Sequence, residues 1–144
     1  MKDWTTLKKD DVLHLLVPKE FSIDNFKYIK YEYQESKVIN VHYYENLINV
    51  RFKYTGNDGK RHRVELAINK SKYNESCLAS DKKTSWAAHY TPKYGDILVS
   101  YVSKEELNKV YSESIQNEIK KYESLIESQR KIVNQLRSLQ YLYI

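Results

Sequence analysis

The sequence contains few of the residues that usually mark turns, disulfides and membrane spans. Three glycines and two prolines occur in 144 residues, so few turns can rely on glycine and the regular elements should be long. The single cysteine, Cys77, excludes an internal disulfide and favours a reducing compartment. No apolar run approaches the ~20 residues that cross a bilayer, and the N-terminus lacks the apolar stretch of a signal peptide. We therefore expect a cytoplasmic protein without a membrane partner.

Sequence patterns typical of catalytic, metal and cofactor sites are also missing. None of the four histidines stands three or four residues from another His, a Cys or a well-placed carboxylate in a recognised metal-ligand pattern. Cys77 lacks any local pattern of a catalytic nucleophile. The segment from Gly56 to Lys60 superficially suggests a phosphate-binding loop, but it joins two predicted strands and no helix follows. These patterns predict a non-enzyme with no catalytic residue, metal or cofactor.

Aromatic residues make up 13% of the chain, and fourteen are tyrosines, a composition that argues against disorder. Alternating apolar and polar residues predict a tyrosine-rich antiparallel β domain over residues 1–102, with strands expected over 7–17, 26–33, 38–44 and 96–102. Pro18 should limit the first strand. Residues 69–95 have no clean period, and so long a loop is unusual, so we expect a short strand or helix within them. Aromatic residues there and near the N-terminus are suited either to anchoring a protein interface or to plugging a small barrel: Trp4, Trp86, Tyr90 and Tyr94.

A hairpin over residues 48–68 has the clearest pattern. Residues that face each other across two strands share one side of the sheet, so Tyr54 opposite His62 requires residue numbers that sum to 116. That register leaves residues 57–59 as a three-residue loop, in which Gly59 supplies the positive φ. His62 then lies on the buried side, where a structural imidazole is expected and not a metal ligand.

The exposed side of this hairpin is basic. Lys53 stands opposite Arg63, and like charges directly opposite each other are destabilising, so this side suits an anionic ligand. Together with lysines of an earlier strand it would form a basic, aromatic strip for single-stranded nucleic acid. The alternative is a solvated face whose charges prevent edge aggregation. The predicted nucleic-acid-binding residues are Lys27, Lys30, Arg51, Lys53, Lys60, Arg61 and Arg63.

Residues 103–144 form the second unit, a long amphipathic helix. Ser103 and Glu106 predict a capping box at its start, and neither glycine nor proline follows. A helix from 104 to about 140 is ~55 Å long at ~1.5 Å per residue, whereas a 100-residue domain has a radius of gyration of only about 13 Å. The helix therefore outruns its domain and pairs with another chain, unless it bends back at residues 112–114 or 124–129.

Apolar residues recur along this helix at heptad spacing. Gln129 is a polar residue within one core row, and Leu125, Ile132 and Leu139 form a second row seven residues apart. The alternative to an intermolecular contact is packing of these residues within the same chain. The predicted partner-binding residues are Ile115, Ile119, Tyr122, Ile126, Val133 and Leu136.

Two short patches resemble known proteins. Residues 4–13, Trp-Thr-Thr-Leu-Lys-Lys-Asp-Asp-Val-Leu, resemble the first strand of small SH3-like barrels, where a Leu-Lys-Lys-Gly-Asp-x-Val turn is common and Asp10 here replaces the glycine. Residues 101–106, which lead from a strand into a helix, resemble the end of short uncharacterised phage and gut-bacterial proteins. The resemblance implies a phage or mobile-element accessory or virion protein, and no catalytic residues.

The predicted fold class is α+β, with a small antiparallel SH3-like β-barrel or sheet over residues 1–102 and the helix over 103–144. The predicted function is a non-enzymatic protein-interaction or structural module that binds a partner or self-associates through its helix. The alternative function is a nucleic-acid-binding domain that uses the basic side of the hairpin.

Overall fold

The computed structural model describes residues 3–73, 75–80, 88–89 and 95–140. The fold is α+β, as predicted: antiparallel strands come first and one long helix, α1 (Lys104–Gln140), ends the described chain. Short 3-10 turns lie at Trp4–Thr6 and Lys70–Lys72. The strands are β1 (Val12–Ile23), β2 (Phe26–Lys37), β3 (Asn40–Tyr43), β4 (Leu47–Thr55), β5 (Arg61–Asn69), β6 (Cys77–Ser80), β7 (Ala88–His89) and β8 (Ile97–Ser100).

These strands form two antiparallel sheets. The large sheet has five strands in the order β2-β1-β8-β6-β7, and the small sheet has three in the order β3-β4-β5. Of the two predicted alternatives, barrel or sheet, the part of the chain that is described therefore adopts sheets. Short elements do lie within residues 69–95, as expected, since β6, β7 and a 3-10 turn fall there.

The long hairpin of β1 and β2 is larger than the sequence predicted. Its two twelve-residue strands pair from Val12 with Lys37 to Ile23 with Phe26. The two-residue turn has φ values of 48° at Asp24 and 67° at Asn25, the positive pair that a type I′ turn requires. The expectation that Pro18 limits β1 was wrong. β8 pairs with β1 only at residues 14–16, so beyond them β1 is an edge where a missing N–H is tolerated.

The turn before β1 contains Asp10, where the sequence comparison expected a glycine. Asp10 adopts a φ of 72°, a left-handed conformation that aspartate tolerates better than most residues. Its N–H donates to the Val38 carbonyl at 2.9 Å, and the Lys8 N–H donates to the Asp11 carboxylate at 3.1 Å. The tight turn therefore forms without glycine.

The β4–β5 hairpin has the predicted register, with Tyr54 opposite His62 and Phe52 opposite Val64. Gly59 has a φ of 75° and completes the three-residue loop. His62, expected on the buried side, is half-exposed because it lies close to the loop. Its ring stacks on Tyr54 at 5.4 Å, and its Nε2 lies 3.0 Å from both carboxylate oxygens of Asp58.

The molecule has three layers, and an apolar core lies between each neighbouring pair. The main core lies between the two sheets and contains Leu15, Val50, Phe52, Leu66 and Val99 among its buried side chains. A second cluster lies on the other side of the large sheet, where Leu16, Cys77, Ala79 and Leu98 pack with Leu107 of α1. The first turns of the helix are thus the third layer.

The predicted aromatic anchors have different outcomes. Trp4 is fully buried in the main core, where its Nε1 donates to the Glu75 carbonyl and its ring meets Tyr101 edge-on at 4.6 Å. It is therefore not an exposed anchor. Trp86, Tyr90 and Tyr94 lie outside the described residues.

Candidate protein-interaction surface

The start of α1 is fixed to the domain by polar contacts. The Ser103 hydroxyl accepts a hydrogen bond from the Glu106 N–H at 3.3 Å, which is one arm of the predicted capping box. The Glu106 carboxylate accepts from the Ser76 hydroxyl at 3.0 Å, and so ties the helix to the segment before β6. The Lys104 Nζ lies 4.7 Å from the centre of the Tyr33 ring.

Apolar contacts complete this anchorage within three turns. Leu107 is fully buried against the large sheet, and Tyr111 meets Tyr31 of β2 edge-on at 5.1 Å. Ser114 is the last buried residue, and its hydroxyl donates to the Tyr111 carbonyl at 2.8 Å. Leu107 is the one apolar residue of α1 that is buried within the described chain.

Beyond Ser114 the helix continues without a break to Gln140. The bends considered at residues 112–114 and 124–129 do not occur. At ~1.5 Å per residue, residues 115–140 extend for ~39 Å. The prediction that the helix outruns its domain is confirmed for the described part of the chain.

The extended part of α1 carries an exposed apolar stripe. The side chains of this stripe are each 44% to 60% exposed. Taking ~150–200 Å² for a large side chain, they present on the order of 600–800 Å² of surface. The predicted residue Ile115 lies at the base of the stripe and is half-buried. We define the stripe as Ile119, Tyr122, Leu125, Ile126, Ile132, Val133, Leu136 and Leu139.

A groove separates the base of the stripe from the β1–β2 hairpin. Its volume is about 440 Å³, and Lys27 and Tyr28 form its hairpin wall. Ile115, Ile119 and Tyr122 are among the residues that form its helix wall. The groove was missed from the sequence, because nothing in the local pattern tells that the end of this hairpin lies beside the helix.

The basic residues predicted to bind nucleic acid are only partly brought together. Lys53, Arg61 and Arg63 line a concavity of about 450 Å³ with Lys37, a cation that the sequence argument missed. Glu35 also lines it and reduces the local charge.

Four of the predicted cations lie elsewhere. Arg51 forms an ion pair with Glu65 at 2.9 Å, without hydrogen-bond geometry. Lys60 is exposed in the hairpin loop, and Lys27 faces the groove beside α1. The Lys30 Nζ lies 5.6 Å from the centre of the Phe21 ring. Lys27 and Lys30 of β2 thus do not line this concavity, and the binding of nucleic acid by the predicted residues stays a prediction.

Cys77 is poorly suited to nucleophilic chemistry. Burial under α1 raises the pKa of its thiol to about 12, and the nearby Glu106 carboxylate adds to the shift. Among the described residues, no three His, Cys, Asp or Glu side chains converge as a metal site requires. None of the helices in the described ranges has the length and apolar character needed to cross a bilayer.

No protein-family model matches the chain, nor does any curated protein or solved structure. The resemblance to SH3-like barrels and to phage and gut-bacterial proteins therefore stays a prediction.

Proposed function

We propose that the chain is a non-enzymatic protein-interaction module that associates with another helix through the stripe of α1. The observation that carries this proposal is the exposure of 44% to 60% along eight large apolar side chains. Exposed apolar patches of more than a few hundred Å² are rare on monomers and usually mark an interaction site. A standard interface buries about 800 Å² per partner, which is close to what the stripe presents.

The spacing of the stripe favours a helix as the binding element of the partner. Ile119, Ile126 and Val133 occupy one core position of a heptad, and Tyr122, Gln129 and Leu136 occupy the other. Such rows accept the side chains of a second helix as knobs in holes. Gln129 suits a contact in which one polar core residue specifies the register.

Sedimentation velocity tests the proposal with two matched variants. Val133→Glu places a charge in the stripe, whereas Gln135→Glu places the same charge two residues away on another side of the helix. At about 50 µM we expect the wild type and Gln135→Glu to sediment faster than a monomer, and Val133→Glu to sediment as a monomer. Association that Val133→Glu leaves unchanged contradicts the proposal, whereas a monomer in all three cases, with a folded domain by circular dichroism, excludes self-association.

Such a module would suit a structural or accessory role in a phage or mobile-element particle. The particle would be assembled in a host cytoplasm. The support for this setting is the resemblance of residues 101–106 to short phage and gut-bacterial proteins. Localisation of a tagged chain to purified particles would test it.

The second candidate function is binding of single-stranded nucleic acid, which the concavity lined by Lys37, Lys53, Arg61 and Arg63 favours. Counterion release predicts a slope of log affinity against log salt of about −0.7 per phosphate contacted, so about −3 for four cations. Fluorescence anisotropy with labelled oligonucleotides, comparing Lys53→Glu with Lys131→Glu, measures this slope. Equal weak binding by both variants would exclude the concavity as the site.

A further inference from the structure

We infer that the stripe pairs with the stripe of a second copy in antiparallel orientation, with facing core residues whose numbers sum to 255. In this arrangement the last turns of each α1 enter the groove beside the other copy's β1–β2 hairpin. The inference rests on the proposed function and names its partner. The charges, the core residues and the described length of the helix support this arrangement.

Charge favours the antiparallel orientation. In an antiparallel helix pair, residues at the heptad position after the second core residue face each other across the interface. When the core pairs sum to 255, the pairs on this flank sum to 253, so Glu123 of each copy faces Arg130 of the other, which gives two opposite-charge contacts. A parallel pair would instead place Glu118 beside the second copy's Glu123, which gives two like-charge contacts.

The core residues match in the same register. Ile119 faces Leu136, Tyr122 faces Val133, and Ile126 faces Gln129 of the second copy. On the side of the interface away from the charges, Leu125 faces Ile132, so the second apolar row is also covered. Seven of the eight residues of the stripe have apolar or core partners, and the eighth, Leu139, faces Glu118.

The length of the free helix gives an independent argument for this register. The two-fold axis lies between Glu127 and Ser128, so residue 115 of one copy faces residue 140 of the other. Ser114 is the last buried residue and Gln140 is the last residue of α1. The overlap therefore uses the whole described free segment, residues 115–140.

In this register, apolar side chains of the second copy lie at the groove. Leu136 of the second copy faces Ile119, and Val133 faces Tyr122, and both of these residues line the groove. The groove volume of about 440 Å³ has space for aliphatic side chains against the ring of Tyr28. The β1–β2 hairpin thus covers the outer side of the inserted helix end.

A charge exchange at one contact tests the orientation by sedimentation equilibrium. Glu123→Arg and Arg130→Glu each replace two attractive contacts by two repulsive ones, so each should raise the dissociation constant about tenfold. The double variant restores both contacts and should return to within about threefold of the wild type. In a parallel dimer, Glu123→Arg would face Glu118 and strengthen association, and this result overturns the inference.

Electron spin distances test the register directly. A nitroxide on Ser138→Cys should be offset by ~32 Å along the axis between the two copies, whereas a parallel pair has no axial offset and leaves only the lateral separation of two outward-facing labels. Ser128→Cys should give a short distance in both orientations and serves as the control. Cys77 is 5% exposed and remains unlabelled in the folded chain.

The outcomes separate this inference from the proposed function. If Val133→Glu leaves sedimentation unchanged, the stripe is not the interface and both fail. If Val133→Glu abolishes a dimer whose Ser138 labels are close together, the stripe is the interface and only the antiparallel register fails. Tyr28→Ala should weaken a correct dimer several-fold without altering its spin distance, and an unchanged dissociation constant removes the groove from the interface.

Discussion

Leu107 and Leu136 lie on the same helix with opposite exposures, so one substitution at each position separates anchoring from association. Leu107 is fully buried in the cluster under α1, whereas Leu136 is 60% exposed. Leu→Ala removes about three methylene equivalents worth ~0.8 kcal/mol each when buried. With the cavity left behind, Leu107→Ala should lower the free energy of unfolding by about 3 kcal/mol.

The same change at Leu136 should have little effect on the monomer. With 60% of the residue already exposed, the loss of burial is ~1 kcal/mol at most. Alanine's higher helix propensity offsets part of this loss. In a dimer Leu136 gains a partner, so the destabilisation by Leu136→Ala should grow as protein concentration rises through the dissociation constant.

Urea unfolding followed by far-ultraviolet circular dichroism, at about 1 and 100 µM, measures both effects. Leu107→Ala should be destabilising at either concentration, and Leu136→Ala chiefly at the higher one. Equal losses for the two variants at low concentration would refute the structural assignment of anchor and stripe. A concentration-independent effect of Leu136→Ala would argue against burial of the stripe in a dimer.

Three further predictions concern single residues of the β domain. Because burial raises the pKa of the Cys77 thiol to about 12, a maleimide at pH 8 should modify it only after denaturant unfolds the chain. Gly59→Ala should cost about 1 kcal/mol in a thermal melt, since its φ is 75° while no atom lies within 4 Å of the added carbon; no loss would contradict the left-handed turn. Hydrogen bonding to His62 lowers the pKa of Asp58, so this contribution to stability is present above the ordinary aspartate pKa and is lost as pH falls through the lowered value. The stability difference between wild type and Asp58→Asn should therefore shrink between pH 6 and strongly acidic pH, and a constant difference would contradict the contribution of this hydrogen bond.

The β4–β5 register was predictable because two conditions act on the same residues. One side of the hairpin is buried, so a shift by one residue would expose Phe52 and Val64 together. Gly59 then supplies the only left-handed position that the loop length allows. Local pattern and turn chemistry agree here, and the structure follows both.

The β1–β2 hairpin was underestimated for the opposite reason. Its distal half extends beyond the core and is mostly exposed, so burial imposes no alternation on residues 19–30. Pro18 also suggested an end that the edge position makes unnecessary. The Asp24–Asn25 pair was the available indication of a type I′ turn in the sequence.

The helix stripe was predictable from the sequence, whereas the groove was not. The stripe is a property of one helix, and its period is readable from Ile119 to Leu139. The groove depends on where β2 lies relative to α1, which follows from strand pairings between distant segments. The pairing of β8 with β1 joins residues 14–16 to residues 98–100, and no local pattern specifies such a contact.

The shallow anchorage of α1 has a mechanical consequence. A stiff rod that is held only at its first three turns acts as a lever whose pivot is the packing around Leu107. A tilt of about 5° at that pivot would displace the far end by ~3 Å over its ~39 Å length. A small change in the packing of Leu16 or Leu98, which contact the helix in the cluster under α1, would therefore cause a larger displacement of the C-terminal end of α1.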